Sequence, residues 1–120
     1  MKSAKEILDI INHAHGSDAY HKYSPIPGYP VVTDGVIKLA EDAGCYWLLD
    51  AIGSYQTDKR LDPYFQVWVL EVNREKSSGI VCGFNDTELI VSQEIPYTDF
   101  PLNELKLFLM DGVILLPTEH

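Results

Sequence analysis

Cysteine is scarce in this sequence: Cys45 and Cys82 are the only two in 120 residues. Two thiols make at most one bridge, too few for the disulfide framework of a small secreted scaffold. Cys45 falls in a helical stretch and Cys82 in a strand-like one, so both read as small buried hydrophobes. Long apolar runs are missing too, and nothing approaches the roughly 20 residues of a membrane-spanning helix. The start, Met1 to Asp9, does not read as a signal peptide, because Glu6 and Asp9 interrupt any apolar core. These absences lead us to expect a cytoplasmic protein without a membrane partner. Positive charge is the third scarcity. Nine Lys and Arg stand against 18 Asp and Glu, a formal net charge of −9. Such a balance argues against direct binding of nucleic acid, which needs a basic patch for the phosphates. Also absent are a phosphate-binding loop, a dinucleotide fingerprint and a Gly-x-Ser-x-Gly elbow.

What is present suits an ordinary folded globule. Hydrophobic residues make up 46% and charged residues 22%, which excludes intrinsic disorder. The length predicts a single domain over residues 1–120. Ser3 followed by Glu6 is a capping-box pattern, and Ala4, Ile7, Leu8, Ile11 and Ala14 form a helical stripe that Gly16 stops. Residues 17–32 hold Pro25, Pro27, Gly28 and Pro30 and read as an irregular connector. Its Tyr20, Tyr23 and Tyr29 predict a connector packed down onto the core. Thr33 or Asp34 caps a second helix with Val36, Leu39, Ala40 and Ala43 inward and Gly44 just past its end. A further helical segment runs from about Cys45 to Tyr55, so that the two form a bent or broken helix.

From Phe65 the hydrophobic period changes to two. Trp68, Leu70 and Val72 share one strand face, and Phe65, Val67, Val69 and Glu71 the other. Ile80, Cys82 and Phe84 alternate in a second strand. Leu89, Val91 and Ile95 alternate in a third, with Glu88, Ser92 and Glu94 turned to water. The segment from Leu105 to Leu116 is ambiguous. Asp111-Gly112 suits a two-residue hairpin turn between alternating flanks. The rival is a helix from about Pro101 to Met110 with Gly112 past its end. The alternation and the turn chemistry favour the hairpin. Its second face, with Phe108, Met110, Val113 and Leu115, is then largely apolar and needs a helix or another chain to cover it. The fold class that follows is α+β: two or three N-terminal helices packed on a four- or five-stranded antiparallel sheet.

Candidate chemistry is thin. His13, His15 and His21 could supply three metal ligands, with Asp18 as a neighbouring carboxylate. His13 and His15, two apart in a helix, point away from each other, and a histidine near a helix end complements the dipole instead. Nothing basic lies near either cysteine to make a Cys–His nucleophile. We therefore expect no catalytic residue, no metal and no cofactor. A carboxylate pair such as Asp34 with Asp99 reads as solvated surface charge. The Pro-bracketed loop Gln93 to Pro101 is more informative. Thr98 and Asp99 can fix a turn by local hydrogen bonds, while Tyr97 and Phe100 either close the core or form a rigid binding rim. Residues 77–120 carry seven carboxylates against Lys106 alone, −6 of the net charge. An acidic face of that kind aids solubility, steers basic partners or imitates a nucleic-acid surface.

Several runs carry a family likeness: Thr33-Asp34-Gly35-Val36, Ala43 to Ile52 around Tyr46-Trp47-Leu48-Leu49-Asp50, Phe65 to Trp68, Gln93 to Leu102 around Pro96-Tyr97-Thr98-Asp99-Phe100-Pro101, and Asp111-Gly112-Val113 with Leu115-Leu116-Pro117. Over roughly residues 16–120 the chain resembles a bacterial family known only as domain of unknown function family 6876. The resemblance implies occurrence on mobile elements and no assigned activity, so it carries over no catalytic residue. Two functional expectations follow. The first is a non-catalytic acidic interaction module with a protein partner or a second copy of itself, serving a plasmid or phage function. The second is a small-molecule-binding protein or enzyme built on the Tyr-rich connector and the loop, with Tyr20, Asp34, Tyr97 and Asp99 as binding residues. A deep cleft lined by those four would favour the second, and a flat acidic or apolar sheet face the first.

Overall fold

A computed structural model describes residues 3–14 and 19–120, and the account below concerns those residues. The first helix, α1 (Ala4–His13), starts as its sequence dictates. The Ser3 side chain accepts from the Glu6 amide while the Glu6 side chain reaches back to the Ser3 amide. Its expected stop, Gly16, lies outside the described residues. Helix α2 (Asp34–Ala43) is capped by Thr33, whose hydroxyl accepts from the Val36 amide, and it ends at Gly44 in the left-handed region. The four expected inward residues, Val36, Leu39, Ala40 and Ala43, are all buried. Helix α3 (Tyr46–Ser54) follows after the break at Gly44-Cys45 and runs into a short 3-10 turn, Tyr55–Thr57.

The sheet is larger than expected and mixed. Seven strands are described: β1 (Tyr20–Lys22), β2 (Val31–Thr33), β3 (Phe65–Asn73), β4 (Ser78–Asn85), β5 (Glu88–Ile95), β6 (Glu104–Met110) and β7 (Val113–Leu115). Their spatial order is β1-β2-β7-β6-β3-β4-β5. All neighbours are antiparallel except β2 and β7, which run parallel through Val31 opposite Val113 and Val32 opposite Ile114. This corrects the expectation of four or five antiparallel strands. The extra strands lie in the proline-rich connector, and each has three residues, too short for periodicity to register. They exist because β7 offers a row of open backbone groups that would otherwise go unpaired.

The hairpin reading of the C-terminal segment holds. Asp111 and Gly112 take positive φ values of 50° and 80° between β6 and β7, as a two-residue turn that follows the strand twist requires. Leu105, Leu107, Leu109, Ile114 and Leu116 face inward and are buried.

All three helices pack on one side of the sheet. Leu39, Leu48, Leu49 and Ile52 join Trp68, Leu70, Leu107 and Leu109 in one core cluster. Trp68 is held in place by polar contacts as well as packing. Its indole N–H donates to Gln66 Oε1 at 2.9 Å, and Gln66, itself 1% exposed, forms a reciprocal amide pair with Gln56. Gln66 Nε2 also donates to the Asp62 carbonyl and Gln56 Nε2 to that of Ile52, so this buried network is paired throughout. The connector is packed down in part, as its tyrosines suggested. The Tyr23 hydroxyl donates to the Leu49 carbonyl at 2.8 Å and its ring lies 6.2 Å from that of Tyr29. Tyr20 is the exception, at 63% exposed.

Candidate functional site: the open face of the sheet

Because successive strand residues alternate between faces, the registers determine what the helix-free side presents. Three rows cross it. One runs Leu115–Phe108–Val67–Phe84–Leu89 across β7, β6, β3, β4 and β5. Beside it runs Val31–Val113–Met110–Phe65, and on its other side Lys106–Val69–Cys82–Ser92. None of the apolar members joins the helix-side core cluster. Leu89 is 54% exposed, and most of the others are half-buried by one another. The rings of Phe65 and Phe108 meet at 5.6 Å, and His120 stands edge-on to Phe108 at 5.6 Å. The apolar second face foreseen for the hairpin is therefore real. No α-helix among the described residues covers it; Glu119 and His120 shield its β2–β7 side and Phe108, leaving the part from β6 to β5 open.

A fourth row differs in kind. Glu104, Glu71, Ile80 and Glu94 lie side by side across β6, β3, β4 and β5. Glu71 and Glu104 are directly opposite, and like charges in that position destabilise a sheet. Lys106 is the one lysine or arginine within β3 to β6, and Lys76, on the turn after β3, borders the row in a hollow shared with Glu71 and Ile80.

Two residues stand on this face contrary to expectation. Leu89 was assigned the inward side with Val91 and Ile95, both of which are buried. A register shift at Gly83/Phe84 inserts one residue into β5, which puts Leu89 opposite Phe84 and turns it outward with Ser92 and Glu94. Cys82 is only half-buried here, whereas Cys45 is buried. Both thiols are free. Burial pushes the Cys45 thiol up to about 12. Partial burial, with the Glu71 charge adding to it, raises Cys82 as well.

The four expected binding residues do not share a cleft. Tyr20, on the edge strand β1, lines an open hollow of about 220 Å³ with Thr33, Met110, Asp111 and Glu119 among its neighbours. Asp34 opens α2, with Oδ1 2.5 Å from His21 Nε2. Tyr97 is 69% exposed in the loop after β5. Asp99 lines a different hollow of about 250 Å³ with Arg74, Ser77 and Phe100. That loop is fixed by the Thr98 amide donating to Ser77 O at 2.7 Å and the Phe100 amide to Thr98 Oγ1 at 3.2 Å. Phe100 closes the core at 2% exposed, and Tyr97 does not. The first hollow reaches Met110, opposite Phe65 at the start of β3, and the second lies by Val72, seven residues further along that strand, about 23 Å at the usual rise.

The histidines divide likewise. His13 Nδ1 lies 3.0 Å from the Asp9 carbonyl at the end of α1. His15 and Asp18, two members of the considered metal set, lie outside the described residues. Among the described residues no three His, Cys, Asp or Glu side chains come together as metal ligands would, and no helix is long and apolar enough to cross a membrane.

Sequence reasoning identified the outward strand residues singly and missed the surface they form. Alternation was legible, but the order of the strands was not, and only that order joins Val67, Phe84, Phe108 and Leu115 into one row.

Comparison with curated proteins and with solved structures found no match. A family model does match, over residues 5–120, nearly the whole length over which the runs around Tyr46-Trp47 and Tyr97-Thr98-Asp99 are spread, and so the chain belongs to the Family of unknown function (DUF6876).

Proposed function

We propose that this protein is a non-catalytic interaction module whose working surface is the helix-free face of the sheet. The observation that carries the reading is the set of apolar rows on β3 to β7, aligned strand by strand yet outside the core cluster. Contiguous exposed apolar surface rimmed by polar groups is what a protein docking site needs. The carboxylates at its margin would steer basic partners and repel nucleic acid. The alternative, a small-molecule site on Tyr20, Asp34, Tyr97 and Asp99, asks those residues to line one cleft; Tyr20 and Asp99 border two separate open hollows, and Asp34 and Tyr97 line neither. Our reading assigns the protein to the cytoplasm, which two free thiols favour. It also assigns it to a mobile genetic element, as the family likeness implies.

The test is affinity capture from a host lysate with the wild type and with Leu89→Ser/Ile80→Ser. Both residues are exposed, at 54% and 41%, so the variant keeps the wild-type melting temperature. The proteins retained by the wild type are absent from the variant, and high salt weakens the retention of basic ones. Equal capture by the two would refute the reading.

A further inference from the structure

Building on the interaction reading above, we propose that the open face receives one cationic amphipathic α-helix of a partner protein. Its apolar stripe lies over Val67, Val69, Phe84 and Leu89, and its basic residues reach Glu71 and Glu104. Three observations lead there. The first is size. From β6 to β5 the free apolar rows span three strand steps, about 14 Å, and about the same distance along the strands. An α-helix is about 10 Å across and covers such a length in roughly three turns. A stable dimer buries about 800 Å² on each side, at least twice this footprint of roughly 200–400 Å².

The second is charge. A second copy of the chain brings another −9 to an already acidic face, whereas a basic helix complements it. Lys106 and Lys76 temper the face without reversing it, since three glutamates, Glu71, Glu94 and Glu104, stand on it against those two. The third is local cost. Glu71 and Glu104 stand directly opposite on the same face of an antiparallel pair, a placement that disfavours the folded sheet and that an incoming cation relieves. A local rule broken on an exposed surface beside an uncovered apolar patch is where function is expected. The helix-in-groove mode reads such a target through apolar anchors at every third or fourth position.

The probe is an end-labelled synthetic peptide of about 14 residues, leucine and lysine only, patterned so that the leucines share one helical face. Its control has the same residues shuffled so that they do not. Fluorescence anisotropy should show the patterned peptide binding at least about tenfold more tightly than the shuffled one. The Leu89→Ser/Ile80→Ser protein and the Glu71→Gln/Glu104→Gln protein should each lose about tenfold, the second keeping or raising its melting temperature because a repulsion is gone. Equal binding of patterned and shuffled peptides would overturn the proposal as simple charge attraction. Sedimentation separates the two levels of the argument. A dimer dispersed by Leu89→Ser/Ile80→Ser overturns the helix and leaves the interaction reading standing. Loss of neither peptide binding nor lysate capture in that variant overturns both.

Discussion

At the scale of single residues, the two thiols report the two sides of the sheet. Cys45 is sealed under the helices, and Cys82 sits half-covered on the open face. A thiol reagent at about pH 8 should modify Cys82 more slowly than a free cysteine but well ahead of Cys45, which reacts only as fast as the protein opens, as peptide mapping of the labelled protein would reveal. Cys45 also imposes a pH dependence. Its folded value of about 12 exceeds the unfolded value near 9, so the folded state disfavours the thiolate. The associated stability is complete below about pH 9 and is lost as pH rises through 12. Melting curves between those limits should fall less steeply in Cys45→Ala than in the wild type. Gly83 is a steric case. A Cβ there would sit 2.6 Å from the Trp68 ring, which the Gln66 bond holds in place. Gly83→Ala should cost about 1–3 kcal/mol by overpacking and shift the tryptophan emission.

At the scale of elements, the β6–β7 hairpin depends on its turn. Gly112 has φ +80° with open space around it, so Gly112→Ala introduces backbone strain and no clash. A loss of about 1 kcal/mol in urea unfolding is expected, against almost none for a substitution at exposed Lys106. This element was the ambiguous one in the sequence. Asp-Gly and strict alternation decided it correctly because both flanks have an inward set, Leu105, Leu107, Leu109 and Ile114, that only a strand register buries together. The Ser3 capping box and the inward face of α2 were equally legible, since capping and amphipathic spacing are local effects, but the structure had to choose Thr33 over Asp34 as the α2 cap and leaves Leu8 of the expected α1 stripe 44% exposed. β1 and β2 were not legible. Three-residue strands carry no period, and Val31 pairs with Val113, a residue 82 positions away.

At the scale of the whole molecule, residues 116–119 tie distant elements together. Glu119 Oε1 accepts from the Thr33 hydroxyl at 2.7 Å and the Leu116 amide at 3.0 Å, beside the start of α2. Thr118 donates to the Ile11 carbonyl of α1 at 2.9 Å. The C-terminal turn therefore locks α1, α2 and the parallel β2–β7 pair into one unit. Glu119→Ala should remove both bonds, cost about 1–3 kcal/mol, and raise amide exchange in β2 and β7 above that in β3 and β4. Of the candidate site, Tyr20, Asp34, Tyr97 and Asp99 were chosen from local chemistry, and tertiary structure distributes them around the sheet. The carboxylate excess of residues 77–120 was visible as a count, while its concentration in the row Glu104–Glu71–Ile80–Glu94 was not.

By itself the sequence determined the class of the fold, the capping box of α1, the inward face of α2, most of the strand alternation and the excess of acidic residues. All of these depend on neighbours within a few residues or on composition. The tertiary structure alone decided the number of strands, their mixed order, the bulge that turns Leu89 outward, and the union of scattered outward residues into one open face. Those features arise from hydrogen bonds between residues distant in the chain, whose partners no local pattern names.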